Sequence, residues 1–88
     1  MRRYWVYIIL CSDGSLYTGY TSDVKRRLVQ HNSGRASRYT RARLPVTLAY
    51  LERASSQGSA LRRELKIKKL SRSSKLLLCS ERLPKRPS

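Results

Sequence analysis

Tyr4-Trp5-Val6-Tyr7-Ile8-Ile9-Leu10-Cys11, Ser12-Asp13-Gly14-Ser15 and Leu16-Tyr17-Thr18-Gly19-Tyr20-Thr21 follow one another near the start of the chain. The first run is almost continuously β-branched or aromatic, the pattern of a strand covered on both faces. The second run breaks it, and the third resumes with β formers. Two such runs joined across an Asp-Gly turn make a β-hairpin, the strongest short-range signal in the sequence. Its register decides where the tyrosines go. A two-residue Asp13-Gly14 turn would set Tyr7 opposite Tyr20 and Tyr17 opposite Leu10, sending Tyr7 and Tyr17 to opposite faces. If both phenols serve one site, the loop must hold an odd number of residues or a bulge must shift the pairing.

After the hairpin, Thr21, Ser22 and Asp23 supply a cap and a first-turn acid for a helix over about Asp23 to Ser33. Val24, Leu28 and His31 recur at helical spacing, and Gly34 stops the segment. Arg35 to Arg43 is basic and polar, a short helix or a loop. Pro45 ends it, and Val46 to Glu52 reads as a third strand. Ser55-Ser56-Gln57-Gly58 is expected to turn. A helix over Ala60 to Leu70 follows, with Leu61, Leu65 and Lys68 on one side. Ser71 to Cys79 reads as a capped last helix carrying Leu76, Leu77 and Leu78. The order β-β-α-(α)-β-α-α predicts an α/β (α+β sandwich) fold: a small three-stranded antiparallel sheet flanked by helices, since so few strands need covering. One domain is expected over residues 1–82, and a basic, proline-containing disordered tail over 83–88.

The 88 residues carry 20 Lys and Arg against 5 Asp and Glu, a formal net charge of +15. A domain this small with that imbalance calls for an anionic partner, nucleic acid first. An anionic membrane fits less well, because the basic residues run from Arg2 to Arg86 without a hydrophobic anchor beside them. The longest apolar run, Tyr4 to Cys11, is too short to span a bilayer. A soluble, cytoplasmic protein is expected, with no membrane association and no obligate protein partner. Cys11 and Cys79 have no metal-ligand spacing and read as free buried thiols.

The residues that carry chemistry are Trp5-Val6-Tyr7, Tyr17-Thr18-Gly19, Arg27, His31 and Glu64. In that order, and on the elements just assigned, they resemble the GIY-YIG nuclease family over nearly the whole chain. Thr18-Gly19-Tyr20-Thr21, Asp23-Val24-x-x-Arg27-x-x-x-His31-x-x-Gly34 and Arg63-Glu64-x-x-Ile67-Lys68-x-Leu70 are similar to its small stand-alone bacterial branch, the URI-type, UPF0213-like domains. Two departures stand in the motif: Trp5 replaces the first glycine, and Thr18 replaces an isoleucine. No asparagine follows Glu64, where several larger relatives have one.

The resemblance implies a metal-dependent endonuclease in which Tyr17 activates the attacking water. A free phenol titrates near about 10, so Tyr17 needs help from a cation, from Arg27 or from His31 as a transient proton acceptor. Tyr7 is the second site phenol, or a core residue of an apolar strand. Arg27 and His31, four apart on one helix, share a face. The guanidinium suits phosphoryl charge, the alternative being a solvated basic face with Lys25 and Arg26. His31 would otherwise cap the helix C-terminus. Glu64 is either an i,i+4 partner of Lys68 or the single protein ligand of Mg²⁺, with Mn²⁺ as a substitute.

No second carboxylate has a compelling spacing, so one metal is expected. Gly19, Arg35, Arg38, Lys68, Lys69 and Lys75, with Arg41 and Arg43, are the expected nucleic-acid contacts, to DNA ahead of RNA. Phosphate contacts supply affinity without sequence information. Tyr39 has the chemistry to stack on an unpaired base. The competing reading is a non-catalytic basic nucleic-acid-binding module on the same scaffold.

Overall fold

The computed structural model describes residues 3–82, with side-chain surroundings through residue 80; the tail expected over 83–88 lies outside the described residues. Three strands, β1 (Tyr4–Leu10), β2 (Leu16–Thr21) and β3 (Thr47–Ala54), and four helices, α1 (Val24–Asn32), α2 (Arg38–Arg41), α3 (Gln57–Lys68) and α4 (Arg72–Arg82), follow in the order β-β-α-α-β-α-α. The sheet is antiparallel throughout and ordered β2-β1-β3. The most apolar strand is therefore the central one.

Alternation along β1 divides the core into two layers. Val6 and Ile8 face one way and pack with Tyr50, Ala60, Ile67 and Cys79 beneath α3 and α4. Tyr7 and Ile9 face the other way, with Cys11, Val46, Leu28 and Leu48 on the α1 side. Both faces are covered, which is why β1 reads as a continuous apolar run instead of an alternating one. Val6, Ile8, Ile9 and Ile67 are at most 1% exposed, and each contributes about 1.5–3 kcal/mol relative to exposure. Cys11 and Cys79 are both free and buried, in different layers.

The hairpin does not close with a two-residue turn. Ser12, Asp13 and Gly14 form a three-residue loop between Cys11 and Ser15: the Cys11 N–H donates to Ser15 O at 2.9 Å and the Gly14 N–H to Cys11 O at 3.0 Å. Gly14 takes the left-handed conformation, φ +86°, as the third position of such a loop requires. The Asp13 carboxylate meanwhile accepts from the Ser15 N–H at 3.0 Å, an Asx-type turn that stabilises the loop locally.

Helix α1 begins at its expected cap, with Asp23 accepting from the Arg26 N–H at 3.1 Å. It ends in a Schellman arrangement, the Gly34 N–H on His31 O at 3.0 Å and the Arg35 N–H on Gln30 O at 2.9 Å. The Asn32 amide then bridges to the chain ahead of β3, donating to Val46 O at 3.0 Å and accepting from Val46 N at 2.8 Å. This closes residues 33–45 into a lobe that carries α2 back over α1.

One expectation shifts. Ser56 caps α3 through the Ser59 N–H at 3.1 Å, so Gln57 and Gly58 lie inside the helix and not in a turn. The buried residues of α3 are Ala60 and Ile67, seven apart and so on one face, whereas Leu61 and Leu65 are 42% and 49% exposed. Leu76 and Leu77 are likewise exposed, and among the described side chains of α4 the buried one is Cys79. Arg63 anchors α3 to β3, donating from Nε to both Glu52 oxygens at 3.1 and 3.0 Å, and Tyr50 donates to the same carboxylate. No helix among the described residues is long and apolar enough to cross a membrane.

Candidate active site

The three-residue loop sets the register of the tyrosines. Tyr7 lies opposite Gly19 and Tyr17 opposite Ile9, so both phenols project from the same sheet face. Gly19 is what lets them converge. A Cβ built there would stand 2.5 Å from the Tyr7 hydroxyl and 2.7 Å from Cζ, because the Tyr7 ring lies directly across the glycine.

Tyr7, only 4% exposed, reaches His31: its hydroxyl is 3.0 Å from Nε2. His31 Nδ1 is 2.8 Å from the hydroxyl of Thr40 on α2, which is itself fully buried. Burial pushes the Tyr7 phenol well above its usual range, the neighbouring Tyr17 adding to the effect while Arg27 opposes it. Burial also pulls the His31 imidazole below its usual value, assisted by the Arg27 charge. Phenol and imidazole are thus both neutral at neutral pH, joined in one hydrogen-bonded line from Tyr7 through His31 to Thr40. Helix capping by the His31 side chain does not occur, since both ring nitrogens are engaged across the fold.

Tyr17 meets His31 differently. Its ring packs edge-on against the imidazole, 5.2 Å between centroids at 65°, without a hydrogen bond. Of the groups expected to help Tyr17, His31 has its Nε2 engaged by the Tyr7 hydroxyl instead.

Tyr7, Tyr17, Arg27, His31 and Glu64 line one open cleft of about 450 Å³, joined by Tyr4, Tyr20 and Gln57. Arg27 and His31 come from successive turns of α1 and Glu64 from α3, so the cleft wraps the β2 edge of the sheet. The Nε of Arg27 is buried and has no hydrogen-bond partner among the described residues. As a lining residue of the cleft, Arg27 brings a guanidinium suited to phosphate oxygens. Glu64 forms the expected i,i+4 pair, its Oε2 3.4 Å from Lys68 Nζ, with the carboxylate side chain 12% exposed. Such a pair contributes a few tenths of a kcal/mol, about 0.3–0.5, too little to account for a nearly buried acid. Glu64 is the one carboxylate lining the cleft, and no cluster of three or more Asp, Glu, His or Cys occurs among the described residues. This donor set fits a hard cation held by one carboxylate and completed by water and phosphate oxygens, not an all-protein cage.

The outlying basic residues do not join the cleft lining. Arg35, Arg38, Lys68 and Lys69 are exposed and Lys75 is half-buried. Gly19 lines the cleft but serves as the space beneath Tyr7. Sequence reasoning missed Thr40, Tyr4, Tyr20 and Gln57. The Gln57 amide donates to the Tyr20 hydroxyl at 3.4 Å, tying the start of α3 to β2. A β-face reading of Tyr4 and Tyr20 had the signal to find them; Thr40, in a polar basic segment without periodicity, had none.

Comparison with known proteins agrees with this geometry. The family model for the GIY-YIG catalytic domain matches residues 3–76. A UPF0213 protein of Staphylococcus saprophyticus is 47% identical over 81 residues, covering 92% of this chain and 99% of that protein. One from Halobacterium salinarum is 56% identical over 70 residues, 80% of this chain and 91% of its own length. The solution structure of a UPF0213 protein from Bacillus halodurans superimposes with a TM-score of 0.58 at 46% identity, covering 90% of this chain and 84% of the other. With the domain matched across most of its length and relatives near half identical end to end, this chain belongs to the GIY-YIG family, among its small UPF0213 members.

Proposed function

We propose that this protein is a divalent-metal-dependent nuclease that hydrolyses phosphodiester bonds, with DNA the expected substrate ahead of RNA. One observation carries the reading: Tyr7, Tyr17, Arg27, His31 and Glu64, from two strands and two helices, line a single cleft. The strongly basic composition supports it by supplying attraction for a polyanion.

Tyr17, the less buried phenol, acts as phenolate after giving its own proton to solvent: it takes a proton from the attacking water as the water oxygen bonds to phosphorus, and the leaving oxygen departs as the P–O bond breaks and is protonated by solvent. Arg27 offers its guanidinium to a non-bridging oxygen, where charge builds in the transition state. Tyr7 remains a protonated phenol; His31 and Thr40 orient its hydroxyl toward the water or the phosphate. Glu64 would hold Mg²⁺ or Mn²⁺, which supplies Lewis-acid polarisation of the phosphate. Lys68, released from Glu64 when the carboxylate takes a cation, becomes available to the backbone. Because Glu64 is the only carboxylate lining the cleft among the described residues and both His31 nitrogens are engaged, the scheme takes one metal.

The test is a panel of single-stranded, duplex and branched DNA and RNA, with and without Mg²⁺ or Mn²⁺. Metal-dependent cleavage of at least one DNA substrate is expected. Steeply salt-dependent binding with no cleavage, indifferent to divalent ions, would move the protein to the non-catalytic binding class.

A further inference from the structure

Tyr17 does not stand alone at the cleft. Its ring stacks on Tyr39, 6.0 Å between centroids at an interplanar angle of 24°. The guanidinium carbon of Arg43 lies 3.8 Å from the centre of the Tyr39 ring, covering one of its faces. Arg43 is in turn fixed at two points. Its Nη1 donates to Tyr39 O at 2.9 Å, and its Nε donates to Asp13 Oδ2 at 3.0 Å. Asp13 sits in the hairpin loop, and its other oxygen is held by the Ser15 N–H and hydroxyl at 3.0 and 2.6 Å. The backbone repeats the connection, with the Ser12 N–H and hydroxyl both donating to Arg43 O at 3.0 Å.

These contacts use up groups that the sequence assigns to nucleic acid. Arg43 has spent its Nε and its flat face inside the protein, and Tyr39 is already stacked. Each keeps some exposed surface, 37% for Tyr39 and 33% for the Arg43 side chain, but the ring and guanidinium groups named here are already committed to partners within the protein. What they do have is a continuous path from the hairpin loop to the ring of Tyr17, whose far side rests on His31. Cation–π and aromatic stacking contacts of this kind have preferred geometries.

We propose that Asp13, Arg43 and Tyr39 form a clamp that sets the orientation of the Tyr17 phenol in the cleft. They are positioning residues for Tyr17 and not contacts to the nucleic-acid backbone. The arrangement has a structural logic. Tyr17 is on an edge strand, where sheet neighbours restrain it from one side only, and the lobe of residues 33–45 supplies the missing wall.

The variants separate the clamp from its alternatives. Asp13→Asn keeps Oδ1 for the turn but puts an amide where Arg43 needs an acceptor. Arg43→Lys keeps the positive charge and loses the planar face. Tyr39→Ala removes the stack, and Tyr39→Phe preserves it. In NMR spectra of the full chain, the Tyr17 ring resonances should shift in the first three variants and stay at their wild-type positions in Tyr39→Phe.

The kinetic arm rests on the nuclease reading. Those same three variants should lose about tenfold to a hundredfold in kcat with KM nearly unchanged, the signature of a misplaced reacting group. Backbone contacts would instead raise KM and flatten the dependence of binding on salt, leaving kcat intact; that pattern overturns the clamp. Unmoved Tyr17 resonances overturn it too, whether or not the protein cuts DNA. Shifted resonances in a protein without nuclease activity uphold the clamp and refute the nuclease reading instead.

Discussion

Replacing Gly19 with alanine is a sharp test of the packing that brings the two phenols together. The new Cβ would lie 2.5 Å from the Tyr7 hydroxyl and 2.7 Å from Cζ, against an ordinary carbon contact of about 3.5–4.0 Å. The ring must therefore retreat by about 1 Å. Tyr7 is buried among Ile9, Leu28 and Val46, so it has little room to do so, and a shift of that size breaks its 3.0 Å bond to His31. Overpacking costs about 1–3 kcal/mol and the lost hydrogen bond about 1 more, while the reduced freedom of the unfolded chain returns about 0.4–1. The net is a loss of about 1–3 kcal/mol, or a Tm lower by about 5–20 °C for a domain of this length.

Thermal and urea unfolding measure it directly, and a double-mutant cycle isolates the cause. Tyr7→Leu removes the hydroxyl and Cζ, the two nearest atoms. In that background Gly19→Ala should cost less than about 0.5 kcal/mol, giving a coupling of about 1–2 kcal/mol. Equal costs in both backgrounds, or a wild-type melting point for Gly19→Ala alone, would refute the close approach.

Two further outcomes follow from the His31 line. Because the folded imidazole titrates below its ordinary value of 6.5, its contribution to stability is intact above that pH and is lost as pH falls through it. His31 is the only histidine, so the urea midpoint should drop as pH falls below the ordinary imidazole value of 6.5, and His31→Gln should lack that drop; a midpoint that rises on acidification contradicts the assignment. Thr40→Val preserves shape but deprives Nδ1 of its partner at 2.8 Å. It should cost about 1–3 kcal/mol and shift the imidazole ¹⁵N resonances toward the other tautomer, and unchanged nitrogen shifts would rule Thr40 out as the orienting group.

Much of this was legible in the residues, for identifiable reasons. The first hairpin is visible because β1 is buried on both faces and says so in every residue. Helix α1 is visible because Asp23 and Gly34 sit at its two ends with the right chemistry. The register was left open by the sequence, since Asp13-Gly14 suits both a two-residue turn and the last two positions of a three-residue loop. Only the latter puts Tyr7 and Tyr17 on one face. Helix α3 was misplaced by three residues because Ser56, not the glycine after it, governs where the helix starts. The third strand begins at Thr47 instead of Val46, runs on to Ala54, and carries a bulge at Ala49, where the partners of Ile8 and Ile9 step from Tyr50 to Leu48.

Within the site, residues of the ordered motif were found because the motif is local to each element. Thr40, Tyr39 and Arg43 acquire their roles through long-range closure by Asn32 and Asp13, and nothing periodic marks that in a polar segment. The same reason hides which phenol bonds His31: spacing along α1 puts the imidazole beside Arg27, and only the sheet register brings the Tyr7 hydroxyl to its Nε2.

The most direct test of the account is parallel cleavage and binding by Glu64→Ala and Tyr17→Phe beside the wild-type protein in Mg²⁺, on whichever DNA the wild type cuts. Both variants should bind the substrate with near wild-type affinity and lose at least about a hundredfold in cleavage rate, as removal of a transition-state group does. Undiminished cleavage by both variants would contradict the assignment of this cleft as the catalytic centre.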